Sequence, residues 1–143
     1  MIEENTGTTV PPDLQHRFTY TGNISVPTEV AKRLPFREDI SLYGWEDMVW
    51  GQALRDAGIP LVYVPQAEAL HHHRLTMEDS LRRMETLGAS AVHMRSIAPE
   101  FDRLPHGLTR IAYELAALLP TMAGRHRKAF LKGIRNAAGM TDS

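Results

Sequence analysis

The chain has 143 residues, 43% of them hydrophobic and 23% charged, with a net charge of −1 when histidine is neutral. That balance suits one ordinary domain, able to bury roughly two-thirds of the surface its unfolded chain exposes, and offers no global charge to draw nucleic acid or a membrane. The absence of cysteine excludes disulfides and thiolate metal sites and leaves the redox compartment open.

Residues 1–17 read as a loose lead-in. Its first part, MIEENTGTTVPPD, is polar and acidic, lacks the apolar core of a signal peptide, and is broken by Gly7, Pro11 and Pro12. Residues 16–20 read as a short strand. TGNISVP, 21–27, is turn chemistry, and a short helix follows near 28–34 with Thr28 as its N-cap. Residues 35–43 form a loop.

GWEDMVWGQALRDAG, 44–58, comes next. Val49, Trp50, Ala53, Leu54 and Ala57 recur at three- and four-residue steps, which predicts a helix over about 46–57 with one buried face. Gly58 supplies the stop and Pro60 blocks continuation. IPLVYVP, 59–65, is apolar and β-branched and reads as a buried strand; 67–73 reads as a second short strand. Thr76 and Asp79 form a capping box with Asp in place of Glu, opening a long helix to about Ile97. Its apolar side carries Leu81, Met84, Leu87, Ala91 and Met94. Two more helices are predicted near 108–119 and 124–137.

A few strands followed by helices, with too few strands for a large sheet, reads as part of an α/β domain. The longest apolar stretch, 111–119, contains Glu114 and is too short to span a bilayer, so a cytoplasmic location is expected. The last helix carries Arg125, Arg127, Lys128, Lys132 and Arg135, with no acid between Glu114 and Asp142. This basic patch is either a solvated face or a surface for anionic lipid or another chain.

Three groups of residues are candidates for chemistry. Glu46 and Asp47 fall in the first turn of their helix, where the helix dipole favours carboxylates. Placed within hydrogen-bond reach of a sugar hydroxyl, the same acids could also hold it and take its proton, with the Trp45 ring against the apolar sugar face. HHHR, 71–74, follows a predicted strand. His71 and His73 would share a side and His72 would face away, so at most two imidazoles aim at one divalent metal, unless all three are surface histidines. In TGNISVP, Gly22 permits close backbone approach, and Asn23 and Ser25 offer short polar side chains to a site or to a plain turn. No glycine-rich phosphate loop, GxSxG elbow or HExxH motif is present.

Together and in this order, these elements resemble the C-terminal half of the catalytic domain of family 2 glycosyltransferases, most closely the galactosyltransferase C-terminal type. The elements are Gly22-Asn23-Ile24-Ser25, Phe36-Arg37-Glu38, Gly44-Trp45-Glu46-Asp47, the 59–64 strand and His71. The likeness covers about 18–88, assigned as a transferase-like region over 18–98 with a helical extension over 99–143.

The resemblance implies a partial GT-A-like α/β fold. It implies transfer of a sugar from a nucleotide-diphosphate donor, commonly a UDP-hexose, to an acceptor hydroxyl with inversion. Asp47 would be the general base, Glu46 would bind acceptor hydroxyls and Trp45 would pack on a sugar face. Asn23 would line the pocket. His71, with His73 second, would ligate a divalent metal, Mn²⁺ or Mg²⁺, bridging the donor diphosphate. The D-x-D element of such enzymes is absent, and twenty residues precede TGNIS. The expectation is therefore a chain lacking its nucleotide-binding half and inactive alone, partnered by that half or by a second copy. The alternative is a non-catalytic interaction module derived from such a domain. Nucleic-acid binding through Arg125–Arg135 is the least favoured reading.

Overall fold

The computed structural model describes residues 7–40 and 43–141, with side chains described as far as Gly139. Residues 1–6 of the lead-in, and 41 and 42 of the 35–43 loop, lie outside the described residues. The chain divides into two compact units. One comprises Met1–Asp39 with Glu46–His72; the other comprises Ile40–Trp45 with His73–Ser143.

In the first unit, helices α1 (Gln15–Phe18) and α3 (Glu46–Asp56) pack together, with α2 (Thr28–Arg33) between them in sequence. Their approach is set by small residues. A Cβ on Gly51 of α3 would collide with Oγ1 of Thr19, whose buried hydroxyl donates to the Gln15 carbonyl at 2.9 Å. Val49, Trp50 and Leu54 form the buried face of α3, as the periodicity predicts. The Trp50 ring stacks on Phe36 at 4.7 Å, and its Nε1–H donates to the Leu34 carbonyl at 2.7 Å. Satisfying that N–H is what permits so large a ring to be buried. The helix stops in a Schellman motif: Gly58 adopts φ +72°, its N–H meets the Arg55 carbonyl, and the Ile59 N–H meets the Leu54 carbonyl.

The sheet is minimal. Strands β1 (Thr8–Thr9) and β2 (Val62–Tyr63) pair antiparallel, Thr8 opposite Tyr63 and Thr9 opposite Val62. The buried Gln15 side chain supports this edge, donating to the Ile59 carbonyl at 2.9 Å and accepting from the Leu61 N–H at 3.3 Å.

These observations overturn the α/β, GT-A-like reading. The described residues are mostly helical, with six α-helices and one two-stranded sheet. Residues 15–18 form a helical turn where a strand over 16–20 was expected, and 67–73 hold no strand. The run 59–65 is not a buried strand either: two of its residues pair, and Tyr63 is exposed. The physical reason is partnership. An apolar, β-branched run becomes a core strand only between neighbours that satisfy its backbone. Here Pro60 and Pro65 remove donors at both ends, and the two residues of β1 are the partner. Thr28 is also not the α2 cap: Pro27 holds that position, and Thr28 is the first helical residue.

The second unit is built from α4 (Met77–Ile97), α5 (Gly107–Ala116) and α6 (Met122–Thr141). The expected capping box is present. The Asp79 N–H donates to the Thr76 hydroxyl at 3.1 Å, and the Thr76 N–H donates to the Asp79 carboxylate at 3.3 Å. Helices α4 and α6 meet backbone to backbone. A Cβ on Gly88 would strike the Phe130 carbonyl, and one on Gly133 the Glu85 carbonyl. Ser90, Ala91, Met94, Ala98, Phe101, Phe130 and Leu131 fill the core around that crossing. At its rim Lys132 and Asn136 both bond the Glu85 carboxylate.

Candidate functional site

The first turn of α3 presents Glu46 and Asp47. Both are half-buried. Asp47 reaches out of its helix rather than back to it. One carboxylate oxygen accepts the Thr21 hydroxyl at 2.7 Å and the other accepts the Thr21 N–H at 3.2 Å. Thr21 opens a 3₁₀ turn, Thr21–Asn23, that contains the Gly22-Asn23 pair. On its other side Asn23 Nδ2 donates to the Ala67 carbonyl at 2.8 Å. Ala67 closes a turn on Val64, just after β2, and the chain then runs exposed and irregular to His71.

Two side-chain clasps, spanning 26 and 44 residues, thus join the glycine-asparagine turn, the acidic start of α3 and the segment leading to His71. Asn23, Glu46, Asp47 and His71 all belong to the first unit. An ionised carboxylate offers about four lone-pair positions. Asp47 spends one on each Thr21 bond, so acceptor capacity remains for a hydroxyl proton.

Trp45 and His73 belong to the other unit. The Trp45 ring is half-buried, and its Nε1–H is buried with no hydrogen-bond partner among the described residues. His73 lines a cavity of about 550 Å³ with Tyr43, Arg74, Leu75, Asp79, Arg82, Arg83 and Thr86. Arg83 donates to the Tyr43 hydroxyl at 2.8 Å and lies 5.4 Å from the centre of its ring. The hydrogen bonds from the Thr76 hydroxyl and N–H hold the Asp79 carboxyl below its usual range, with Arg82 and His73 adding to the effect. Three guanidinium groups line it, Arg82 pairing with Glu78 and Asp79, and such a lining disfavours a cation.

Among the described residues, no three His, Asp or Glu side chains group together as a cation site. A divalent cation takes several donors. His71 stands exposed on an irregular segment and His73 sits in a basic surround, so the side chains described do not by themselves make a fitting metal centre.

Sequence reasoning missed two residues that position the site. Thr21 anchors Asp47, and Gln15 holds the 59–61 segment from beneath. The signal for Thr21 was its place immediately before Gly22-Asn23, where a hydroxyl can serve a nearby carboxylate. Nothing local marks Gln15, whose partners lie 44 and 46 residues away.

No helix among the described residues is long and apolar enough to cross a membrane. Comparison with protein-family models, with curated proteins and with solved structures finds no match to this chain.

Proposed function

We propose that the unit carrying α3 is the acceptor-activating part of an inverting glycosyltransferase, resembling family 2 enzymes in its motifs. One observation carries this reading. The motif elements TGN, Glu46-Asp47 and the segment before His71 lie far apart in sequence and are clasped together by Thr21–Asp47 and Asn23–Ala67. Asp47 takes the proton of an acceptor hydroxyl while that oxygen attacks the anomeric carbon of a nucleotide-diphosphate sugar. The nucleotide diphosphate leaves from the opposite face, so the configuration inverts. Glu46 holds neighbouring acceptor hydroxyls, and Asn23 fixes the turn beside the base. Thr21 orients the Asp47 carboxylate through two hydrogen bonds. No step is routed through a metal, and binding of the nucleotide is assigned to groups outside this cluster.

A transfer assay on the protein in its full natural context, with UDP-hexoses and saccharide acceptors, tests this reading. Asp47→Asn is expected to lower turnover roughly 10²–10⁴-fold, the usual contribution of a general base, with little change in melting. Equal transfer by parent and variant overturns it.

A second reading has its own support: Asp47 already accepts two bonds from Thr21, as a purely structural clasp would. In that case the domain is a non-catalytic interaction module. The parent then shows no transfer with any donor, and Asp47→Asn changes stability alone.

A further inference from the structure

Helix α5 faces the wrong way for a core helix. Its inner side is small: Ala117 is buried, and Tyr113 packs against Phe130 of α6 with ring centres 5.9 Å apart. Arg127 lies over the same Tyr113 ring at 5.7 Å. The larger apolar residues are on the opposite side. Leu108, Ile111, Leu115 and Leu118, spaced at three and four residues, form one stripe. Leu119, in the turn that follows, and Met122, at the start of α6, are exposed as well. All six are between 54% and 84% exposed. Scattered exposed leucines need no explanation, but four on one helical face, with two more on the same hairpin, mark a surface that something covers.

The charge on the neighbouring helix of the hairpin selects the occupant. Between Arg103 and Gly139 there are seven Lys and Arg residues against one acid, Glu114. Arg125, Lys128, Lys132 and Arg135 recur at three- and four-residue steps and are exposed along one face of α6, beginning one turn after Met122. Lys132 is paired with Glu85. Arg125, Lys128 and Arg135 take part in no ion pair among the described residues. Two copies of such a face would oppose like charges. An anionic lipid surface satisfies both features, since the apolar stripe enters the headgroup boundary while the cations meet lipid phosphates.

We propose that the α5–α6 hairpin lies on anionic membranes as an in-plane anchor. It rests on the surface, and no helix among the described residues is long and apolar enough to cross it. This inference is independent of the glycosyl-transfer reading, because none of its residues belongs to the unit that carries Asp47.

Flotation of the full chain with vesicles is the test. The chain is expected to float with phosphatidylcholine vesicles containing a quarter phosphatidylglycerol, and to release at high salt. It should remain unbound with phosphatidylcholine alone. Ile111→Gln with Leu115→Gln should lower partitioning at least tenfold. Arg125→Gln with Lys128→Gln should lower it roughly 25-fold, each cation near an anionic surface contributing about fivefold. Should the apolar pair disturb the helix by circular dichroism, Leu108→Gln, at the most exposed of these positions, replaces it. Failure to bind anionic vesicles, or equal binding by parent and variants, overturns the proposal. So does a parent dimer by light scattering that the apolar variant makes monomeric while vesicles stay unbound; the stripe then joins copies of the chain.

Discussion

The two units hold themselves together by different means. The second is a pair of long helices in backbone contact at Gly88 and Gly133, with a dense core around Ala91, Met94 and Phe130. The first has helices of eleven, six and four residues and a two-residue strand pair, tied by side-chain-to-backbone bonds from Gln15, Asn23, Asp47 and Trp50. The unit tied by single bonds carries Asn23, Glu46, Asp47 and His71, while Trp45 and His73 fall in the helical unit. Loops positioned by a scaffold commonly carry function, because polar groups must stay near the surface to meet a ligand. Such loops need individual clasps, and each clasp is a single point of failure.

Five substitutions sharpen or break this contrast, in descending size. Trp50→Ala should cost the first unit about 3–5 kcal/mol, the usual loss for a large buried aromatic. It removes both the Phe36 stacking and the bond to the Leu34 carbonyl. Urea unfolding followed by far-ultraviolet circular dichroism measures the loss. A value below about 1 kcal/mol would mean that the ring is not the keystone of α3. Gly133→Ala should cost about 1–3 kcal/mol by forcing α6 away from the Glu85 carbonyl. A neutral result would show that the helices do not meet through glycine.

Thr76→Ala removes the N-cap of α4 and should cost about 1 kcal/mol. Its partner gives that cap a pH dependence. Hydrogen bonds from Thr76 depress the folded-state pKa of Asp79. Its contribution is therefore complete above the ordinary carboxylate range, near pH 4, and is lost as pH falls through the lowered folded value. Asp79→Asn should flatten that part of the acid-stability curve, and an unchanged curve would remove Asp79 from the account. Thr21→Ala should have the smallest effect, about 0.5–1 kcal/mol, because the clasp is exposed. It should nonetheless lower transfer more than it lowers stability if Thr21 aims the Asp47 base. Equal effects on both would favour the structural clasp.

The sequence was most legible where information is local. The α3 periodicity, the Gly58 stop and the Thr76–Asp79 box depend on residues within a few positions of one another, and all three are present. It misled where the outcome depended on distant partners. The 59–65 run looked like a core strand because its composition is that of one. With two prolines and a two-residue neighbour it forms one short edge pair. The stretch 16–20 failed for the same reason, becoming a helical turn whose Thr19 hydroxyl bonds back to the Gln15 carbonyl. Of the candidate site, the residue types were legible and the groupings were not. Trp45 is next to Glu46 in sequence but belongs to the other unit, and His73 parts from His71 in the same way.

By itself, then, the sequence determined the longer helices, the α3 stop, the α4 cap and the chemical inventory, because backbone propensity and apolar spacing act over one or two turns. It also placed five cations on the last helix, though not which of them would share a face. Only the tertiary structure decided that Asp47 would reach Thr21, that Asn23 would reach Ala67 and that α5 would turn its leucines outward. Each of those depends on which surfaces meet, and that is decided by burial summed over the whole unit rather than by any local segment.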